Sequence, residues 1–487
     1  MDPADFRRHG HALVEWIADY LAGSERYPVL PRVAPGDVRR ALPAEAPERG
    51  EPFEVIFADF ERVLVPALTH WNHPGFFGYF AITASEAGVL AEFLAAALNQ
   101  QAMLWRTSPA ATELEEVSLG WLRGLMGLPE AFEGVIYDTA SIASLHALAA
   151  ARETAIPGVR DFGLAGRSGT GLVRVYCSEQ AHSSIDKAVM LLGLGHRALR
   201  KISVDDHFRM RAGALRDAIA DDRASGIAPL AVVATIGTTS TTSIDPIGEI
   251  AEICRREGVW LHVDAAYAGV TAIMPEYRAR FEGWQHADSI VVNPHKWLFT
   301  PFDLSAFYCR RMDVVRQAFS QVPEYLTTTE GTRGARNLMD TGIQLGRRFR
   351  SLKLWMVLRH FGAEGIREAL AEHIRLAQLF SRWVDADPEF ERLAPVPFSV
   401  VCFRARPSGG PTLDAELDAF NERLLDAVNA TGDVFLSHTR LRGRFTLRLA
   451  VGHLRTEERH VARAWDLLKT HAVQLGITFT SPLPGPC

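Results

Sequence analysis

The chain has 487 residues, more than one hydrophobic core ordinarily holds, so two or three subdomains are expected. Apolar residues make up 47% and charged residues 23%, the proportions of an ordinary soluble globular protein and not of a fibrous or disordered one. A formal charge of −6 without a long basic run argues against nucleic acid or an anionic membrane as the main partner.

The opening Met1-Asp2-Pro3-Ala4-Asp5 is acidic and lacks an apolar core segment, so it does not read as a secretory signal. No stretch approaches the roughly 18 apolar residues of a membrane span. Residues 3 to 22 predict an amphipathic helix: Asp2 caps it, Pro3 suits its first position and Gly23 its end, with Phe6, Leu13, Val14, Ile17 and Leu21 on one face. Such a stripe needs something to lie on. From Pro28 to Pro52 the prolines at 28, 31, 35, 43, 47 and 52 predict an extended segment, read as an arm across a partner subunit in preference to a flexible linker.

Residues 86 to about 352 alternate strand-like and helix-like stretches, with strands expected at 131–137, 172–177, 229–235, 259–264, 288–292 and 304–309. The alternation argues for a mostly parallel sheet flanked by helices, and ligands of such sheets sit beyond the carboxyl ends of the strands. After Arg350 a helix from Leu352 to Phe361 leads to a smaller domain, with strands at Ser399–Phe403 and Phe445–Ala450 and a helix from Glu457 to Leu475. The proline-rich Thr478–Cys487 is expected to fray. The boundaries drawn are 1–85, an N-terminal helical and extended segment; 86–352, a large α/β domain; and 353–487, a small α+β domain. Cys177, Cys254, Cys309, Cys402 and Cys487 are scattered, odd in number and without metal-ligand spacing. They fit a reducing compartment, so a cytoplasmic protein without a metal is expected.

Three strand ends carry unusual chemistry. Asp288 to Val292 is a β-branched run stopped by Asn293-Pro294, which places His295 and Lys296 on a turn. A half-buried ammonium loses hydration, its pKa falls, and the free amine becomes a nucleophile able to condense with an aldehyde. A solvated lysine opening a helix is the commoner case, but two other stretches fit the chemical reading. Leu261-His262-Val263-Asp264 reads as a strand ending on a carboxylate, with small residues such as Ala265 and Ala266 next, where a flat ring can approach closely. Val173 to Cys177 is an alternating strand followed by His182 and a helix. Together they supply an amine for an aldehyde, a carboxylate for a ring nitrogen and an imidazole to cover a ring face.

At these residues the chain resembles the pyridoxal-phosphate-dependent decarboxylases of the aromatic-L-amino-acid type, enzymes of fold type I. The likeness is carried by His70-Trp71 with Phe76-Phe77-Gly78-Tyr79-Phe80, by Ser108 to Glu115, Ala181 to Ser184, Ala234 to Thr239, His262 to Gly269, Asn293 to Trp297 and Leu345 to Arg350. These run in family order over almost the whole chain. The resemblance implies a mostly parallel seven-stranded sheet, an N-terminal dimerisation segment packed on the other chain of a homodimer, and pyridoxal 5'-phosphate as cofactor. It implies Lys296 as the lysine that takes the cofactor's aldehyde, His182 as the stacking group, and Asp264 as the ring-nitrogen partner that keeps the ring cationic and electron-absorbing. The phosphate needs backbone and hydroxyl donors at a helix start. Asp138-Thr139-Ala140-Ser141 offers them, with Asn293 and His295 as further contacts; Thr139 stands where relatives often carry serine. Thr235 and Ala266 are expected close to the ring.

The bond that breaks is held perpendicular to the ring plane, so the substrate carboxylate must be gripped there in an apolar setting. Trp71, Tyr79 and Phe80 are expected to build it, while Phe76 and Phe77 read equally well as core. Where relatives that take catechols have Pro-Thr, this chain has Ala81-Ile82, and Gln101 and Met103 replace apolar and aromatic residues that the partner chain contributes. Losing a hydroxyl weakens discrimination for hydroxylated rings, and Gly346 leaves room for a larger one. Tryptophan or phenylalanine therefore rises against DOPA, with tyrosine retained.

Relatives also carry a mobile loop whose tyrosine is thought to protonate the substrate carbon after carbon dioxide leaves. Counting back from Leu345, that position falls on Leu338, which leaves His182, water, Asp340 or Glu330 as proton source. The Thr- and Gly-rich Thr327–Thr341 predicts a mobile lid. The expected reaction is decarboxylation of an aromatic L-amino acid to its arylalkylamine. Oxidative production of an aromatic aldehyde, and decarboxylation of a non-aromatic amino acid such as glutamate, for which Gln101 is a faint hint, are the alternatives. A cofactor-free binding protein is the reading outside catalysis, and the joint presence of Lys296, Asp264 and His182 argues against it.

Overall fold

The computed structural model describes residues 1–165, 171–321, 334–408, 410 and 413–479. The chain forms two compact units, one of Ile82–Ile374 with Ala394–Val400, the other of Met1–Ala81, Arg375–Leu393 and Val401–Cys487. Strand β1 is Phe76–Phe77. The next seven are β2 (Glu133–Tyr137), β3 (Val173–Ser178), β4 (Leu199–Ile202), β5 (Ala228–Thr235), β6 (Trp260–Asp264), β7 (Ser289–Val292) and β8 (Ser305–Cys309). The last four are β9 (Phe390–Arg392), β10 (Val400–Ala405), β11 (Phe435–Leu441) and β12 (Arg444–Ala450).

Strands β2 to β8 make one seven-stranded sheet in the order β2-β8-β7-β6-β5-β3-β4. All its neighbouring pairs are parallel except those of β8, which runs antiparallel to both β2 and β7. Every residue of β6, β7 and β8 is buried, as a parallel sheet covered on both faces requires. Fully buried side chains such as Ile290, Val291 and Phe307 each contribute roughly 1.5–3 kcal/mol of transfer free energy. Six of these strands fall where the apolar runs predict them. The seventh, β4, has the sequence Leu-Arg-Lys-Ile and only its last residue buried, because an edge strand meets solvent and needs no continuous apolar run.

The second sheet has the order β1-β11-β12-β10-β9. Here β1 pairs in parallel with β11, Phe76 opposite Phe435 and Phe77 opposite Leu436. The expected β10 and β12 are present; β9 and β11 were not read from the sequence. The N-terminal helix spans Pro3–Ala22 as expected, with Asp2 accepting the amides of Ala4 and Asp5. Of its stripe Leu21 is buried, while Phe6 and Val14 are exposed. Residues 28–52 are not extended throughout: Asp37–Ala41 forms a helical turn, and Asp37 accepts the Ala34 amide at 2.6 Å. The helix expected at Leu352–Phe361 belongs to a longer element, Ser351–Ala386, interrupted at Gly362, whose φ of 60° lies in the left-handed region. The last helix reaches Phe479, and the rest of the tail, Cys487 included, lies outside the described residues. Among the described residues no helix is long and apolar enough to cross a membrane.

Candidate active site

Lys296 lies in a short helical turn, Pro294–Trp297, directly after β7. Pro294 opens the turn, and the Lys296 amide closes it on Asn293 O at 2.9 Å. Its neighbour Trp297 is fully buried, stacks face to face on Tyr267 with ring centres 4.6 Å apart, and donates Nε1–H to His373 Nδ1 at 2.9 Å. The lysine's backbone is thus fixed, while its side chain remains half-buried.

Asp264 ends β6, the strand beside β7, and is 6% exposed. Its Oδ1 accepts the Ala266 amide at 3.1 Å. Gly269 belongs to the same segment, and a Cβ there would stand 2.6 Å from Val292 Cγ2, so only glycine lets this turn pack on β7. Across the ladder Thr235 pairs with Asp264. The Thr235 amide bonds the buried Asp245 carboxylate at 2.8 Å, yet its hydroxyl is buried without a hydrogen-bond partner.

His182 follows β3 and precedes the helix Ser184–Leu191. Its Nδ1 accepts the Ser184 amide at 3.1 Å and lies 2.9 Å from Ser184 Oγ, so in the neutral ring the proton sits on Nε2. Desolvation lowers its pKa, the Asp264 carboxylate opposes that shift, and the Lys296 ammonium adds to it. One imidazole therefore feels both charges, and the three residues singled out from three separate strand ends converge on one place.

The helix Ala140–Ala155 follows β2, with Thr139 at its N-cap and no side chain capping it. Thr139 bonds backward, amide and hydroxyl both to Asp138 Oδ1 at 2.5 and 3.1 Å. No acidic residue lies in the first turn, which leaves its amides and the positive end of the helix dipole open to an anion. Asn293 and His295 are both buried. His295 Nδ1 accepts the Leu304 amide at 2.9 Å, which puts the neutral ring's proton on Nε2, and Asn293 Nδ2 lies 3.3 Å from that Nε2. Burial lowers the His295 pKa to about 3. Two N–H donors side by side, open helix amides and an orphaned hydroxyl are a donor set short of acceptors. They fit the phosphate and ring of pyridoxal phosphate.

The expected substrate residues form separate groups. Trp71 packs on Phe76 at 4.3 Å and on Tyr79 at 5.9 Å. Tyr79 is 56% exposed with a φ of 49°, whereas Phe80 is buried. Phe76 and Phe77 are fully buried strand residues and belong to the core. Arg448, on β12, donates to Tyr79 O and stacks its guanidinium on Phe80 at 4.6 Å; nothing in an alternating strand marks it beforehand. Gln101 Oε1 accepts the Arg347 amide at 2.6 Å, and its Nε2 would be 3.1 Å from a Cβ on Gly346. Met103 packs with Leu104 and Met339, and Ile82 is half-buried.

Next to Gln101 lies a pair absent from the sequence reading, Glu115 with Arg347, both buried and joined at 2.7 Å. The signal for it was present. Glu115 falls in the buried stripe Ala111, Thr112, Glu115, Ser118, Leu119, Leu122 of its helix, where a carboxylate requires a cationic partner.

The position counted for the loop tyrosine lies in the core. Leu338 is 3% exposed in the core with Ala143, Ala147 and Phe307. The turn Leu338–Thr341 is tied down by Tyr137 Oη to Thr341 O at 2.5 Å and by the Met339 amide to Met103 O at 3.1 Å. Position 338 is therefore a packing position, and the turn 338–341 is joined to the core. Asp340 bonds Ser320 Oγ at 3.1 Å, and burial raises its pKa. Residues 322–333, with Tyr325, Glu330 and the expected lid from Thr327 on, lie outside the described residues.

Comparison with known proteins gives the same picture. Residues 35–406 match the model of the pyridoxal-dependent decarboxylase conserved domain. The chain is 40% identical to the aromatic-L-amino-acid decarboxylase of Sus scrofa, covering 98% of each chain. It is 40% identical to a phenylacetaldehyde synthase of Arabidopsis thaliana, covering 98% of this chain and 97% of that one. The crystal structure of Oryza sativa TDC with PLP and tryptamine superimposes with a TM-score of 0.94 at 36% identity, over 98% of this chain and 99% of that one. With its seven-stranded sheet, its lysine, aspartate and histidine after strands of that one sheet, and a family match across most of its length, the chain belongs to the pyridoxal-dependent decarboxylases.

Proposed function

We propose that the protein decarboxylates aromatic L-amino acids to arylalkylamines, with Lys296, Asp264 and His182 as its catalytic residues. The observation that carries the reading is the convergence of His182 with Asp264 and Lys296 beyond the ends of β3, β6 and β7. Bound pyridoxal phosphate supplies an aldehyde for an amine and an electron sink for the bond that breaks. Lys296 would supply the side-chain amine that holds the cofactor's aldehyde. Asp264 holds a negative charge against the ring nitrogen, His182 covers the ring face and carries a proton on Nε2, and Thr235 and Ala266 border the ring. Thr139, Ala140, Ser141, Asn293 and His295 take the phosphate.

Trp71, Tyr79, Phe80, Ile82, Gln101, Met103 and Gly346 are assigned to the substrate. The exposed apolar face of the helix Glu86–Leu98, with Leu90, Phe93, Leu94 and Leu98 all about half exposed, supports a homodimer whose sites draw on both chains. The functional division of the chain stays 1–85, 86–352 and 353–487. Because Leu338 is a core residue, it gives no ground for diverting the reaction to an aldehyde. The next tyrosine upstream is Tyr325, to which we assign the protonation of the substrate carbon.

The test is an aerobic incubation of cofactor-loaded protein with tryptophan, tyrosine, phenylalanine, DOPA and glutamate in equal amounts, with products separated by mass. Amines of the aromatic substrates are expected. Aldehyde with peroxide and ammonia, or 4-aminobutyrate alone, would refute the reading. Lys296→Ala is expected to abolish turnover, and borohydride should fix the cofactor's mass on the peptide containing Lys296 only in the parent protein.

A further inference from the structure

One buried side chain joins the segments that carry the residues assigned to the cofactor. His262 lies two residues before Asp264 on β6, hence on the same face of the strand. It is fully buried. Its Nε2 lies 3.1 Å from Ser144 Oγ, and its Nδ1 lies 2.9 Å from Ser289 Oγ. Ser289 Oγ also accepts the indole N–H of Trp260 at 3.0 Å, which orients the hydroxyl.

Each segment joined this way leads to a different anchor. Ser144 is on the helix Ala140–Ala155, whose open first turn follows Thr139. His262 is on the strand that ends in Asp264. Ser289 opens β7, which runs into Asn293, His295 and Lys296. Desolvation lowers the His262 pKa to about 4, against the pull of the Asp264 carboxylate, so the ring is uncharged at neutral pH. A charged imidazole one layer beneath Asp264 would neutralise the carboxylate from below; an uncharged one leaves that charge for a cation above.

We propose that His262 is a positioning residue for the cofactor: hydrogen-bonded at both ring nitrogens, it sets the spacing of the phosphate helix, the ring-nitrogen carboxylate and the reactive lysine. It rests on the assignment of Asp264 and Lys296 as cofactor anchors. His262 acts through them and makes no contact with substrate, which separates its signature from theirs.

The experiment compares His262→Leu, which removes both hydrogen bonds, with His262→Gln, whose planar amide can keep them. Retention of pyridoxal phosphate is measured by equilibrium dialysis, and the visible absorption of the bound cofactor is recorded against pH. His262→Leu is expected to weaken retention by about tenfold or more, the consequence of buried hydroxyls left unpaired, and His262→Gln to restore most of it. The leucine variant should also move the pH at which the absorption band changes and lower kcat, while the amino-acid KM stays within about twofold, since substrate contacts are untouched. Ser144→Ala and Ser289→Ala each remove one leg and carry the test should His262→Leu fail to fold. Each is expected to weaken retention a few-fold. Unchanged retention and an unchanged absorption profile in the folded leucine variant, or in both serine variants, would overturn the proposal. Parent protein that fails to bind pyridoxal phosphate would overturn the assignment of the site itself, and is read from the control alone.

Discussion

Glu115→Ala should destabilise the larger unit by about 4 kcal/mol, in the range for removing one partner of a buried ion pair. Glu115 and Arg347 are 2% and 9% exposed. The guanidinium is gripped twice, Nη2 to Oε1 at 2.7 Å and Nη1 to Oε2 at 3.2 Å, and Oε1 also accepts the Ile136 amide at 2.8 Å. Alanine removes all three interactions and leaves the Arg347 guanidinium, among the described residues, with the carbonyls of Ile136 and Ala102. The stranded amide would cost roughly 1–3 kcal/mol by itself, but it shares the same carboxylate, so the two figures overlap and are not added. Glu25 with Arg459 is the control: it is bidentate too, at 2.7 Å twice, but its side chains are 43% and 59% exposed. Solvent screening limits such a pair to about 1 kcal/mol or less.

Urea unfolding of Glu115→Ala, Glu25→Ala and the parent gives the comparison directly. A second measurement separates charge from packing: Glu115→Leu with Arg347→Met should lose less than the two single changes together, by about 3 kcal/mol, because no charge is left uncompensated. Equal losses for Glu115→Ala and Glu25→Ala, or strict additivity in the double variant, would refute the reasoning.

Thr235→Val should leave the cofactor-free protein as stable as the parent or up to about 1 kcal/mol more so, because the buried hydroxyl it deletes has no partner; the same change should weaken cofactor binding, and thermal melts with and without cofactor read both. Acid should unfold the protein early. Burial lowers His146 and His295 to about 3 and His73 and His262 to about 4, each from 6.5, so the unfolded chain takes up these protons as pH falls below about 6.5 while the folded chain stays neutral. Asp245, raised by burial from 3.8 to about 6, works in the opposite sense over part of that window. Four histidines against one aspartate leave about three protons, so stability should fall by roughly 4 kcal/mol per pH unit near pH 5, and urea midpoints at pH 7 and pH 5 that coincide would contradict it. Tyr325→Phe should raise the share of aldehyde, peroxide and ammonia among the products; an unchanged amine yield would exclude Tyr325 as proton source.

The large sheet was legible because its central strands are buried on both faces and so are written as mostly apolar, β-branched-rich runs: Ile290–Val292 and Trp260–Val263, with His262 the one polar interruption, stand out in the sequence. The site was legible for a related reason, since each chemical residue stands just after such a run. What escaped was whatever depends on partners distant in sequence. Phe76–Phe77 looks like core or pocket until β11, more than three hundred residues later, pairs with it. Arg448 acquires meaning only from the Tyr79 carbonyl and the Phe80 ring it meets. That Leu338 is a core residue did not emerge from counting along the chain, because a count carries no information on which side of the loop the chain re-enters the core.

The stacked Trp297 and Tyr267 do more than hold a backbone. Trp297 is covalently next to Lys296 and wholly shielded from water, so its emission should be blue-shifted and insensitive to added quenchers. Any chromophore joined to that lysine lies within reach of resonance energy transfer from this indole. The protein therefore contains its own optical gauge of cofactor occupancy: dimming of the blue edge of its fluorescence reports loading, and recovery reports loss, without label or substrate.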